Sequence, residues 1–173
     1  GLHPHDVVQA KALLAEAGFP DGFEATLKLP PPAYARRGGE MVAAQLREVG
    51  IDLTIENVEW AQWLEQVFRN KDYDLTIVSH TEPRDINIYA RPDYYFQYDN
   101  PDFQALIDEL DATADPDARS ALLKRAQRII AEDAVNGFLF QAGKIGVWNA
   151  DLRGIWENSP TQATDLTGVY WTE

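Results

Sequence analysis

Apolar positions fall first at helical and then at strand spacing, and this alternation repeats through the first half of the chain. From Asp6, the residues Val7, Ala10, Leu14 and Ala17 recur every three or four positions, with Asp6 placed to cap a helix and Gly18 to stop it. Pro20-Asp21-Gly22 then turns into Phe23 to Leu29, which alternates as a strand and ends at Pro30-Pro31-Pro32. A second helix is predicted over about Arg36 to Val49, with Val42, Leu46 and Val49 inward and Gly50 closing it. Ile51 to Val58 alternates cleanly and predicts a strand parallel to the first, joined to it by a right-handed crossover. A third helix, about Trp60 to Asn70, leads to Tyr73 to Ser79, whose apolar second half predicts a central strand. The pattern is that of an α/β chain with a wound, mostly parallel sheet flanked by helices.

The second half reads differently. Phe103, Leu106, Ile107 and Leu110 mark a helix behind Asn100-Pro101, and Leu122, Ala126, Ile129 and Ile130 mark a longer one behind Asp115-Pro116. Two helices in series are expected to cover the other side of the sheet. Gly137 to Gln141 and Ile145 to Trp148 predict short strands, and Asp151 to Glu173 is turn-rich. No internal repeat or low-complexity segment interrupts the pattern. At 173 residues, 45% of them hydrophobic, one domain with one core is expected.

Charge and composition narrow the function classes. Fifteen Lys and Arg against 28 Asp and Glu give a formal charge of -13, which repels phosphate backbones and anionic lipid, so no nucleic-acid partner is expected. There is no cysteine, which removes disulfides, thiolate metal sites and a Cys nucleophile, and which fits an oxidising compartment. No apolar run has the roughly 18 to 20 residues of a spanning helix, so no direct membrane insertion is expected. The chain opens Gly1-Leu2-His3-Pro4-His5, without Met, and is read as part of a longer protein. His3 and His5 form an H-x-H pair that would hold a metal only weakly, and a frayed terminus is the expected state of that segment.

Candidate chemistry concentrates after the third strand. His80-Thr81-Glu82-Pro83-Arg84-Asp85 follows it at once, a polar loop at a strand's carboxyl end, where open α/β sheets meet their ligands. The GxSxG, HExxH, GxGxxG and Walker patterns are all missing, and Arg36-Arg37-Gly38-Gly39 is not a phosphate cradle by pattern. Ser79, His80 and Asp85 are the raw material of a nucleophilic triad, against which stands the plain reading of polar residues lining a loop. Glu82, Arg84 and Asp85 are candidate polar anchors, the alternative being a solvated charge cluster. Trp63 is expected to pack in the core. Trp60, Tyr94 and Tyr95 are candidate ligand walls, since an amphipathic ring at a cleft suits stacking.

Five ordered blocks carry a resemblance. Asp6 to Phe23 includes Ala10-Lys11-Ala12-Leu13-Leu14-Ala15-Glu16-Ala17-Gly18-Phe19, and after it come Gln45-Leu46-Arg47-Glu48-Val49-Gly50-Ile51 and Lys71-Asp72-Tyr73-Asp74-Leu75. Tyr98-Asp99-Asn100-Pro101-Asp102-Phe103 and the run from Arg119 to Asp133 complete the set. Together they resemble the large solute-binding proteins of ABC importers, the oligopeptide, dipeptide and nickel family, family 5. The resemblance implies the C-terminal lobe of a periplasmic-binding-protein type II fold, spanning residues 1 to 173, with about 160 to 173 returning toward a missing N-terminal lobe. It implies binding rather than catalysis, no cofactor and no metal, and a periplasmic or otherwise extracytoplasmic location. The partners implied are a small polar solute and the permease's transmembrane subunits. Carried onto this chain, ligand-binding positions fall at Tyr34 and Arg36 after the first strand, Trp60 after the second, and Ser79, His80, Glu82, Arg84 and Asp85 after the third, with Tyr94 and Tyr95 beyond. Peptide binders of the family place an acid near this loop for the peptide's α-amino group, whereas Ser79-His80-Thr81-Glu82 has no Asp at that spot. The alternative is a stand-alone interaction module that dimerises through the face the missing lobe would cover, without a transport role.

Overall fold

The computed structural model describes residues 2–80, 85–141, 143, 145–158 and 165–172. It divides into two compact units, residues 1–136 and 137–173.

In the first unit, helix α1 (Val7–Glu16) opens where the Asp6 carboxylate accepts from the Gln9 amide at 2.9 Å, and it closes at Gly18 with φ +91°. Strand β1 (Phe23–Leu29), helix α2 (Ala33–Arg47) and strand β2 (Ile51–Asn57) form the predicted parallel βαβ unit, with Phe23 beside Ile51 and Leu29 beside Asn57. A glycine stands at each strand's start for a shared reason. Gly22 (φ +79°) and Gly50 (φ +93°) touch, and a Cβ on Gly22 would lie 1.9 Å from the Gly50 carbonyl oxygen. Leu27, Leu29 and Leu53 turn to α2 and are buried with Ala43, and Gly39 lets the helix settle, since a Cβ there would meet Leu29 Cδ1 at 2.4 Å. Of the Gly38-Gly39 pair, it is Gly39 that serves close packing.

The third strand departs from expectation. β3 is only Leu75–Thr76, and it pairs parallel with β1, so the sheet order is β2-β1-β3 and β1 is central. The apolar run Ile77-Val78 that suggested a central strand belongs instead to side-chain clusters beyond the strand's end: Ile77 packs with the β1 and β2 leucines, Val78 with Trp63 and Tyr95. The helix before it also differs. α3 (Trp60–Trp63) changes to a π-helix over Leu64–Arg69, ended by Lys71 at φ +57°. Trp63 is buried as expected, at 4% exposure, and its indole N–H donates to Thr76 Oγ1 at 2.9 Å, while that hydroxyl donates to the Lys28 carbonyl at 2.7 Å.

The loop after β3 is more regular than its composition suggests, because Asp85–Ala90 forms a 3₁₀-helix. Helices α4 (Pro101–Ala112) and α5 (Pro116–Glu132) start at Asn100 and Asp115, whose side chains accept amide protons in the first turn, each with Pro at the first helical position. They pack on each other and on the 3₁₀-helix rather than across the sheet. Phe103, Leu106, Ile107, Leu110, Ala126 and Ile130 make a core of their own, against which Ile86 and Tyr89 rest. At its far end, Tyr98 donates to the Asp133 carboxylate, and Asn100 Nδ2 donates to both at 2.9 Å. The amino-terminal segment is tied down as well, with His3 Nε2 2.7 Å from the Ala131 carbonyl. That nitrogen must carry a proton to donate there, so it has no lone pair for a metal.

The second unit contains one short antiparallel pair, β4 (Leu152–Arg153) with β5 (Tyr170–Trp171). The strands expected at 137–141 and 145–148 do not form among the described residues. Their backbone groups have no neighbouring strand to pair with, and Phe138, Phe140, Ile145 and Val147 stand exposed, Val147 at 94%.

Candidate functional site

The parallel sheet brings the carboxyl ends of β1, β2 and β3 to one edge, and the residues that follow them meet there. Tyr34, in the first turn of α2, accepts the Ser79 amide proton on its hydroxyl at 3.0 Å, which fixes the path of the chain leaving β3. Arg36 reaches Glu59 at 3.4 Å, joining α2 to the segment after β2, and Glu59 with Gln62 makes the capping box of α3.

Beside this edge lies an open groove of about 570 Å³. Ser79, His80 and Val78 line it from the end of β3, while Asp85, Asn87, Ile88 and Arg91 come from the 3₁₀-helix and the residue after it. Trp63, Leu64, Phe68, Tyr94 and Tyr95 form an aromatic-rich side. Rings meet edge to face along this side, with Phe68 and Tyr94 centroids 5.6 Å apart and Trp63 and Tyr95 also 5.6 Å apart.

His80 is the polar centre of the groove. Its Nδ1 is 3.4 Å from Asp85 Oδ2, and its Nε2 is 2.9 Å from the Tyr95 hydroxyl. A neutral ring satisfies both contacts when Nδ1 donates to the carboxylate and Nε2 accepts from the phenol. Both nitrogens are then engaged, which leaves no base for Ser79, so the Ser79, His80, Asp85 trio is not assembled for nucleophilic attack. Tyr95 is itself 4% exposed and packs with Val58, Trp63 and Val67, and burial pushes its hydroxyl well above its ordinary pKa. It therefore stays a neutral donor and holds the imidazole in place.

Of the residues singled out in the sequence, Ser79, His80, Asp85, Tyr94 and Tyr95 line this groove, and Tyr34 touches Ser79. Arg36 and Trp60 stand at the same sheet edge without lining it; Trp60 is 41% exposed and meets Trp63 edge to face. Glu82 and Arg84 lie outside the described residues. Phe68, Ile88 and Arg91 line the groove and were not foreseen. The signal for Ile88 and Arg91 was the three-residue spacing from Asp85, which marks one side of a 3₁₀-helix.

A second, shallower polar hollow lies on the sheet around Lys28, which is 8% exposed. Its ammonium donates to the Asp72 carbonyl at 2.7 Å and carboxylate at 3.2 Å, with Glu56 at 3.9 Å, so this cation is already satisfied.

The profile of the family described as bacterial extracellular solute-binding proteins, family 5 Middle, matches residues 2–103. The chain belongs to this family. Among curated relatives, di/tripeptide-binding protein 4 of Pseudomonas aeruginosa is 29% identical over 150 residues, covering 76% of this chain and 27% of that protein. Heme-binding protein A of Haemophilus influenzae is 28% identical over 152 residues, with the same coverage of both. A solved clavulanic acid biosynthesis oligopeptide-binding protein superposes with a TM-score of 0.84 over 97% of this chain and 34% of its own, at 24% identity, which establishes the shared periplasmic-binding-protein type II fold. The chain spans about a quarter of the length of the curated relatives it matches. Near-equal identity to proteins named for a peptide and for heme leaves the solute to be read from the groove. The family's members are solute-binding proteins of ABC importers, outside the cytoplasm, and not enzymes. Among the described residues no helix is long and apolar enough to cross a membrane.

Proposed function

We propose that this chain is one lobe of the solute-binding component of an ABC importer. In this reading it captures a small polar solute against a second lobe and delivers it to the permease's transmembrane subunits, without catalysing a reaction. The observation that carries the reading is the groove at the carboxyl edge of the parallel sheet, with an imidazole and a carboxylate facing an aromatic side. Asp85 is the anchor for a cationic group of the solute, His80 holds that carboxylate in position, and Tyr94 with Phe68 forms the wall. Tyr34 and Arg36 brace the edge behind them, and Trp60 extends it. In this reading residues 165–172, which include β5 paired with β4, belong to the segment that continues toward the other lobe; residues 159–164 lie outside the described residues.

With half the cleft supplied elsewhere, the 173-residue chain alone is expected to bind short zwitterionic solutes in the millimolar range. Amide shifts in a ¹⁵N titration should centre on Ser79, His80 and Tyr94. Asp85→Asn should weaken binding of an amine-bearing solute about tenfold, the scale of one charge-assisted contact. Micromolar binding by this chain alone, or equal binding by the Asn variant, would overturn the reading.

The exposed side chains of Phe138, Ile145, Val147 and Trp148 favour a second reading, a stand-alone interaction module that dimerises through them.

A further inference from the structure

Of the asparagines in the chain, Asn136 alone is followed by glycine. Asparagine is thermolabile because the nitrogen of the next residue can attack its side-chain carbonyl carbon, and glycine has no Cβ to shield that nitrogen. The dipeptide alone decides little, since the attack needs a nitrogen and a side-chain amide that the fold leaves free.

Both are free here. Backbone bonding continues past the end of α5 as far as Val135, whose amide donates to the Ile130 carbonyl at 3.3 Å. Beyond it, the Gly137 amide donates to no acceptor among the described residues. The Asn136 side chain makes no hydrogen bond among them either, its Oδ1 being buried without a partner, so turning that side chain gives up no hydrogen bond. Gly137 is exposed, with nothing within 4 Å of the place a Cβ would take. Comparable pairs elsewhere are tied down. Asp21-Gly22 could cyclise by the same route, but the Gly22 amide donates to the Phe19 carbonyl at 3.0 Å and the residue is pressed against Gly50. The amide after Asn57 donates to the Leu29 carbonyl at 3.0 Å, and Asn100 precedes Pro101, which has no N–H to lose.

We infer that Asn136-Gly137 is a site of spontaneous covalent modification, cyclising to a succinimide that water opens to aspartyl and isoaspartyl forms. The Gly137 nitrogen gives its proton to solvent base and bonds to Asn136 Cγ; the bond from Cγ to Nδ2 breaks, and ammonia leaves. Water then adds to one of the two ring carbonyls. Opening at Cγ leaves Asp in an ordinary backbone, whereas opening at the former backbone carbonyl leaves a chain that runs through the side chain and is one methylene longer. In sum, one amide and one water become one carboxylic acid and one ammonia, with no change of oxidation state. The product adds an acid to a chain that already has 28 against 15 bases, and places it just past the carboxyl end of α5, where negative charge is disfavoured. None of this chemistry depends on the groove.

The test is to age the 173-residue chain in mildly alkaline buffer, with and without urea, and to map tryptic peptides by chromatography and mass spectrometry. Peptide 129–144 contains no asparagine but Asn136. In the folded chain it is expected to gain the mass of an amide-to-acid exchange about tenfold faster than any other asparagine peptide, in separable aspartyl and isoaspartyl forms. Urea should change that rate only slightly, whereas isoaspartate at Asp21 should form in urea alone. Gly137→Val, for which the open space leaves room, should suppress the exchange. A persistent Asn136 amide would overturn the inference, and so would a folded rate far below the rate in urea, which would show that the fold shields the pair. Conversion to the aspartyl form alone would replace the succinimide with direct hydrolysis and overturn it as well.

Discussion

At the scale of single residues, the features that hold the site are contacts between positions far apart in sequence. Ser79, His80 and Asp85 could be singled out as neighbours of a strand end, but their partners could not. The Tyr34 hydroxyl on the Ser79 amide and the Tyr95 hydroxyl on His80 depend on how α2 and the segment after Arg91 return to the sheet edge. The glycines show the same division. Gly18 read as a helix stop and Gly22 as a turn residue, and both have positive φ, yet only Gly22 is pressed against another backbone. Gly18→Ala should therefore cost only the left-handed penalty of about 1 to 2 kcal/mol. Gly22→Ala adds a clash with the Gly50 carbonyl and should cost about 1 to 3 kcal/mol more. Urea unfolding of the two variants checks this, and equal losses would show that the Gly22–Gly50 contact relaxes freely.

At the scale of elements, local chemistry made the longer helices legible. Asp6, Asn100 and Asp115 are N-caps that the sequence announces, and each is found capping. β3 misled because apolarity was read as strand, whereas Ile77 and Val78 are partly buried by side-chain packing past the strand's end. The π-turn and the 3₁₀-helix escaped because neither follows the 3.6 or 2.0 period that such a reading tests. One inter-element clasp yields a pH dependence. Asp133 sits at the end of α5, and hydrogen bonds from Tyr98 first, then Asn100, hold its carboxyl below its ordinary value of 3.8. A depressed folded value gives stability that is present above 3.8 and lost as pH falls through the folded value. Tyr98 moves the other way, pushed up to about 12 mainly by burial and by the Asp133 contact, so its share is lost as pH rises from 10 toward that value. Thermal melts of the unsubstituted chain and Asp133→Asn should differ at neutral pH and converge in acid. A gap that stays constant would show that the clasp does not depend on the carboxylate charge.

At the scale of the whole molecule, the α/β class and the family were legible, since the βαβ unit and the five ordered blocks need only local pattern and order. The fate of the last fifth was not, because a strand exists only where another strand pairs with it, and the sequence cannot say which partner is present. No described residue of 137–172 is buried, while Phe138, Ile145, Val147 and Trp171 are exposed at 69%, 89%, 94% and 65%. The lobe reading and the module reading assign this apolar surface to different partners, the rest of a longer chain or a second copy. A stable dimer needs roughly 800 Å² of complementary surface per partner. A unit without a buried core offers little fixed shape to match, so the lobe reading expects a monomer in sedimentation velocity at micromolar concentration. A discrete dimer that Ile145→Ser together with Val147→Ser abolishes would favour the module, because it would show two copies supplying to each other the cover that the lobe reading assigns to the rest of the protein.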